Sequence, residues 1–166
     1  MVSVTAINRA AQLGLGTGLR SMTPLAALSW AASSGRAPVP SGSPLQFLGN
    51  RVVARLLLLM AAGELVADKL PMIPRRTMPA PLIGRIALGA LCGVVVCSQE
   101  QQPAAVGAGI GALTAGWSTY AATAGRAALT EMGLPDVAVA LAEDVLASAL
   151  SVAAVHGRQW PRGQVR

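Results

Sequence analysis

The chain has 166 residues, 53% of them hydrophobic and only 12% charged, with a net charge of +6 that comes almost entirely from arginine and a mean hydropathy of +0.54. One domain's length leaves no room for a separate catalytic module. Half the about 25% charged content of an average globular chain, set between long apolar runs, argues against a soluble bundle with polar helix faces and for a membrane protein. Dispersed arginines, 3% aromatic residues and no nucleic-acid motif argue against nucleic acid as a partner, so the basic balance is read as topology and attraction to anionic head groups of a lipid bilayer.

The first predicted segment runs from Val4 to Trp30. Arg9 and the apolar stretch to Leu19 faintly resemble a secretory leader, but Arg20 follows directly and no small-residue cleavage pattern stands at the right place, so the stretch is read as a retained first membrane helix. Pro24 removes a backbone donor and predicts a kink or break beside Arg20. Residues 33–50 form a Ser/Pro/Gly loop with Pro38, Pro40 and Pro44.

The second segment, Arg51 to Leu70, is apolar to Ala62 and then carries Glu64, Asp68 and Lys69 before Pro71 stops it. Residues 71–81 hold four prolines and the pair Arg75 and Arg76, which predicts a rigid extended connector. The third segment, Leu82 to Cys97, has one charge, Arg85, and at 16 residues is short of the about 20 that a full span needs. A fourth segment follows from Ala104 to about Met132, longer than one span. Gly133-Leu134-Pro135-Asp136 reads as a helix stop and a new N-cap. The fifth segment is Val137 to Val155, and residues 158–166 form a basic polar tail.

Three segments repeat small residues four apart: Gly14 and Gly18, Gly89 and Gly93, Gly107 and Gly111. That spacing puts both on one helix face and lets backbones approach closely, which predicts a tight bundle. Glycine-rich starts in segments one and four, and acid pairs in segments two and five (Glu64 with Asp68, Glu143 with Asp144), suggest an inverted repeat.

The charges that remain are the candidate site. A charge at membrane depth is expensive and faces the bundle interior or a water-filled cavity. Arg20, Glu64, Asp68, Lys69, Arg75, Arg76, Arg85, Asp136, Glu143 and Asp144 are therefore candidates for binding an ion or a small polar solute. Glu64 and Asp68 share one helix face, as do Asp136 and Glu143, and Arg20 and Arg85 are the expected partners of Glu143. The same charges can equally serve as clamps that fix helix register. Cys92 and Cys97 are expected to be inert packed thiols. His156 is the sole histidine, no catalytic constellation or metal-ligand cluster appears, and the Gly-x-Gly-x-Gly runs lack a strand context, so no enzyme activity, metal or cofactor is expected.

Gly18-Leu19-Arg20-Ser21 with Pro24-Leu25, Gly63-Glu64-Leu65 through Asp68-Lys69-Leu70-Pro71, Pro74-Arg75, Arg76-Thr77, Pro79, Gly84-Arg85, Gly89-Ala90, and Leu134-Pro135-Asp136 with Glu143-Asp144 form one pattern. It resembles a family of small bacterial integral membrane proteins catalogued as domain-of-unknown-function family 4126, from segment one through segment five. The resemblance implies a multi-span membrane protein and little about mechanism. The expectation is an all-α, polytopic bundle of four to five glycine-rich helices over residues 1–157, multi-pass in the inner membrane and homo-oligomeric. Its expected role is a small transporter or channel. The alternatives are a non-transporting scaffold or accessory subunit, and an intramembrane lipid-modifying enzyme.

Overall fold

The computed structural model describes residues 3–37, 39–40, 42–67 and 77–156. Among them the chain is all helical: α1 (Val4–Leu19), α2 (Thr23–Ser33), a 3-10 turn (Pro44–Gly49), α3 (Arg51–Ala67), α4 (Pro79–Gln99), α5 (Ala104–Glu131) and α6 (Asp136–His156). Six α-helices thus stand where four to five were expected. The added helix comes from segment one, which is broken in two.

The break lies just before Pro24. Arg20 leaves the helix in extended geometry while its N–H still bonds the Gly16 carbonyl at 2.8 Å. Thr23 then starts α2 with Pro24 in its first turn, where a missing N–H costs nothing. α2 folds back along the molecule: its Leu25 and Leu28, together with Ala31, pack with Leu13, Val95, Val96 and Ala154 in the core. The segment read as a loop, residues 33–50, contributes Ala37 and Leu48 to that core. Ser29 donates to the Leu48 carbonyl at 2.6 Å and fastens the 3-10 turn to α2.

Helix α4 begins at Pro79, inside the stretch read as an extended connector. Its prolines at 79 and 81 occupy the first turn, whose N–H groups have no intrahelical partner anyway, so they start the helix rather than prevent it. The gain makes α4 21 residues long. α4 and α6 are each long and apolar enough to cross a membrane.

α1 is the central strut, packed by α4, α5, α6 and α2. Glycines set how closely it is approached. A Cβ at Gly14 would lie 2.6 Å from the Gly111 carbonyl oxygen, and one at Gly18 would lie 2.5 Å from that of Ala115. α4 approaches α5 at the same glycines: Gly107 meets the Gly93 backbone and Gly111 meets that of Gly89. The order of these contacts makes α1 and α5 parallel, and α4 and α5 antiparallel. Segments one and four therefore run the same way, so the inverted repeat that pairs them does not hold. α3 packs on α2 and the 3-10 turn, with only Ala54 and Ala61 buried.

Candidate functional site: a charge network beneath a helix break

Where α1 ends and α2 begins, two helix termini of opposite polarity lie side by side. The last carbonyls of α1 carry partial negative charge and the first amides of α2 partial positive charge. Each terminus is met by an ion of the right sign from another helix. Arg85 of α4 donates from Nη1 to the carbonyls of Gly18 (2.7 Å) and Thr17 (3.4 Å). Glu64 of α3 accepts from the amides of Ser21 (2.7 Å) and Met22 (2.8 Å). The two ions lie 3.7 Å apart, Arg85 Nη2 to Glu64 Oε1.

Arg20, 1% exposed, sits at the break itself and donates from Nε to Oδ1 of Asp144 on α6. Further along α5, Arg126 grips Asp136 in a fork, Nε to Oδ1 and Nη2 to Oδ2, both 2.7 Å. Its Nη1 also lies 3.6 Å from Glu143 Oε2. Among the described residues the network gathers three arginines and four carboxylates from the α1–α2 break and from α3, α4, α5 and α6. A cleft of about 770 Å³ opens beside it, lined by Thr77, Thr123, Arg126, Thr130, Glu131 and Asp136.

The model of a family described as Domain of unknown function (DUF4126) matches residues 8–157. The chain belongs to this family. No curated protein and no solved structure matches it.

The DUF4126 match takes in the whole network. Of the residues singled out from sequence, Arg20, Glu64, Arg85, Asp136, Glu143 and Asp144 come together in it. Asp68, Lys69, Arg75 and Arg76 lie outside the described residues. Glu143 is expected beside Arg20 or Arg85, and among the described residues another cation, Arg126, stands beside it. Glu143 meets Arg126, while Arg20 takes Asp144 and Arg85 takes Glu64. Neighbouring residues on a helix point about 100° apart, so Glu143 and Asp144 address different helices. The six packing glycines line the contacts of α5 with α1 and α4.

Two groups escaped the sequence reading. Arg126 was hidden in the excess length of segment four. Arg9, treated only as a leader-like charge, is 4% exposed and anchors a second cluster at the opposite end of α1. It bonds Glu100 (2.7 Å), Gln99 (3.3 Å) and the Ala154 carbonyl (2.6 Å), tying the ends of α4 and α6 to α1. A signal was available: Arg9 precedes Arg20 by eleven residues, which at about 3.6 residues per turn puts the two on one face.

Proposed function

We propose that this member of the DUF4126 family is a multi-pass protein of the inner membrane, and that the network beneath the helix break is the polar station of a path for an ion or small polar solute. The observation that carries the reading is an inverted polarity. Arg20, Arg85 and Glu143 are buried, while Leu59, Ile83, Leu113 and Val145 are 65% or more exposed. Water does not favour that arrangement; hydrocarbon does. Helix α2, with 11 residues at about 1.5 Å each, is far too short to cross an apolar layer of about 30 Å. It is a half-helix whose N-terminus opens inside the molecule, and broken helices of this kind hold solutes in secondary transporters.

A second reading has its own support. The extensive pairing among these charges suits a non-transporting scaffold or accessory subunit in which they lock helix packing. Flux in proteoliposomes separates the two. Under the transport reading, the wild-type protein moves protons, a monovalent cation or a small anion faster than protein-free vesicles do. Glu64→Gln changes that rate at least tenfold while the protein stays folded. Folded wild-type protein that moves none of these solutes overturns the transport reading and leaves the scaffold.

A further inference from the structure

Residues 1–63 hold five arginines and no acid. Arg9 and Arg20 find their carboxylates far along the chain, in Glu100 and Asp144. Arg36, Arg51 and Arg55 do not. All three are exposed, and among the described residues none of them pairs with an acid. The other described acids are engaged or remote: Glu64 meets Arg85, Asp136 and Glu143 meet Arg126, and Glu131 closes the far end of α5.

The fold brings these three arginines to one corner. After α2 the chain turns back at once, and the amides of Arg36 and Ala37 both bond the Ala31 carbonyl, at 2.9 and 3.2 Å. Ala37 is buried in the same cluster as Leu48, whose carbonyl Ser29 of α2 holds. α3 starts three residues after Leu48, where Asn50 accepts the Val52 amide at 2.7 Å. Arg51 and Arg55 are four apart and share one face of α3. Apolar side chains adjoin them. Trp30 at the end of α2, Phe47 in the 3-10 turn, and Val52, Leu56 and Leu59 along α3 are all exposed. Gln99 donates to the Ala37 carbonyl at 2.8 Å, so the corner lies at the end of the bundle where Arg9 meets Glu100.

Cations without a counter-charge beside a bare apolar stripe fit a partner that is anionic at one end and apolar along the rest. Water serves the arginines and leaves the stripe exposed; a neutral lipid covers the stripe and leaves the charge unbalanced. We propose that this corner docks an anionic phospholipid, with its phosphate against Arg36, Arg51 and Arg55 and an acyl chain along Val52, Leu56 and Leu59. Guanidinium groups match phosphate oxygens in charge and in fork geometry, and exposed aromatic rings suit the head-group level. The docking surface rests on the membrane reading above and is independent of transport.

Trp30 reports from the corner. With Trp117 and Trp160 replaced by Phe it is the sole tryptophan, and the full chain is reconstituted in phosphatidylcholine vesicles that carry rising shares of acyl-brominated phosphatidylglycerol or acyl-brominated phosphatidylcholine. Each basic side chain near an anionic surface contributes about fivefold in affinity, so the anionic lipid is expected to quench Trp30 at a mole fraction at least about tenfold below the neutral one. Changing Arg36, Arg51 and Arg55 together to Gln abolishes that preference. Changing Arg158, Arg162 and Arg166 to Gln removes the same charge from the tail and leaves it. Equal quenching by the two lipids, a preference that survives the corner substitutions, or an equal loss from the tail substitutions overturns the proposal. So does inorganic phosphate that relieves the quenching better than chloride of equal ionic strength, which would make the corner a site for free anions. Should the triple variant fail to fold, Arg51→Gln and Arg55→Gln singly are each expected to cut the preference about fivefold, and no change in either overturns it. Protein that floats with neutral vesicles but shows no lipid preference at Trp30 sinks the corner and keeps the membrane reading. Protein that floats only with anionic vesicles, with Trp30 quenched, keeps the corner and sinks the multi-pass reading.

Discussion

Arg85 shows how one side chain can serve a backbone and a carboxylate at once. It satisfies carbonyls that α1 leaves open and balances Glu64 across 3.7 Å. Replacing it by Met takes the cation from the part-buried Glu64, which keeps its two amide donors, and leaves the Gly18 carbonyl only the longer bond from Thr119. Arg85→Met is therefore expected to lower unfolding stability in detergent by about 1–3 kcal/mol. Combined with Glu64→Gln, the loss is expected to be smaller than the sum of the two single losses, because each removes the other's reason to be charged. Strict additivity in that cycle would mean the two ions do not interact. Arg9 offers the contrast at the far end of α1. Arg9→Met leaves Glu100 buried without its cation, so a comparable destabilisation is expected. Under the transport reading, flux per folded molecule is expected to stay unchanged, since Arg9 belongs to the other cluster. The chemistry of these residues was legible in the sequence, because charges in apolar runs announce themselves. Their pairing was not, because a partner on another helix depends on rotation and register that no local pattern encodes. Glu143 found Arg126, a residue that looked like surplus length.

At the level of elements, glycine decides who touches whom. Gly93 and Gly107 face each other across α4 and α5 with no room for a side chain, whereas nothing lies within 4 Å of the position a Cβ would take at Gly109. Gly93→Val is expected to destabilise by about 1–3 kcal/mol through forced separation of the two helices. Gly109→Ala is expected to be neutral or to stabilise by up to about 1 kcal/mol, since it improves helix propensity in open space. Thermal unfolding of the two variants side by side checks this, and equal losses would show that the glycines matter for the helix rather than the contact. The spacing of four that marks these glycines was visible in the sequence, as were the ends of α5 and α6 to within a residue or so. The break expected at Pro24 is there; what misled was the proline cluster of the connector, where Pro79 and Pro81 start a helix. Inside a helix proline breaks; in the first turn it starts, and only the surrounding backbone tells which, as Pro24 and Pro79 demonstrate.

For the whole molecule, the two clusters give the bundle a polarity along its length. Ser3 donates from its N–H to Gln102, and Arg9 reaches the Ala154 carbonyl, so the start of α1, the α4–α5 turn and the end of α6 share one end. The α5–α6 turn lies at the other end, beyond the level of the break, where Gly18 packs beside Ala115 of α5. In sealed vesicles, single cysteines at Ser3 and Gln102 are expected to react with an impermeant maleimide from one side and a cysteine at Met132 from the opposite side. The native Cys92 and Cys97 stay silent because they are buried. Labelling of Ser3 and Met132 from the same side would contradict the bundle's placement across a bilayer. The long reach of the ion pairs has a further consequence, for how the protein is made. Arg9 must wait 91 residues for Glu100, and Arg20 must wait 124 for Asp144. If the chain enters a bilayer as proposed, its first helix and the break that follows present two guanidinium groups to lipid before their partners exist. Packing on α4 and α5 comes first, and the surroundings of α1 are complete only once α6 has brought Asp144 to Arg20.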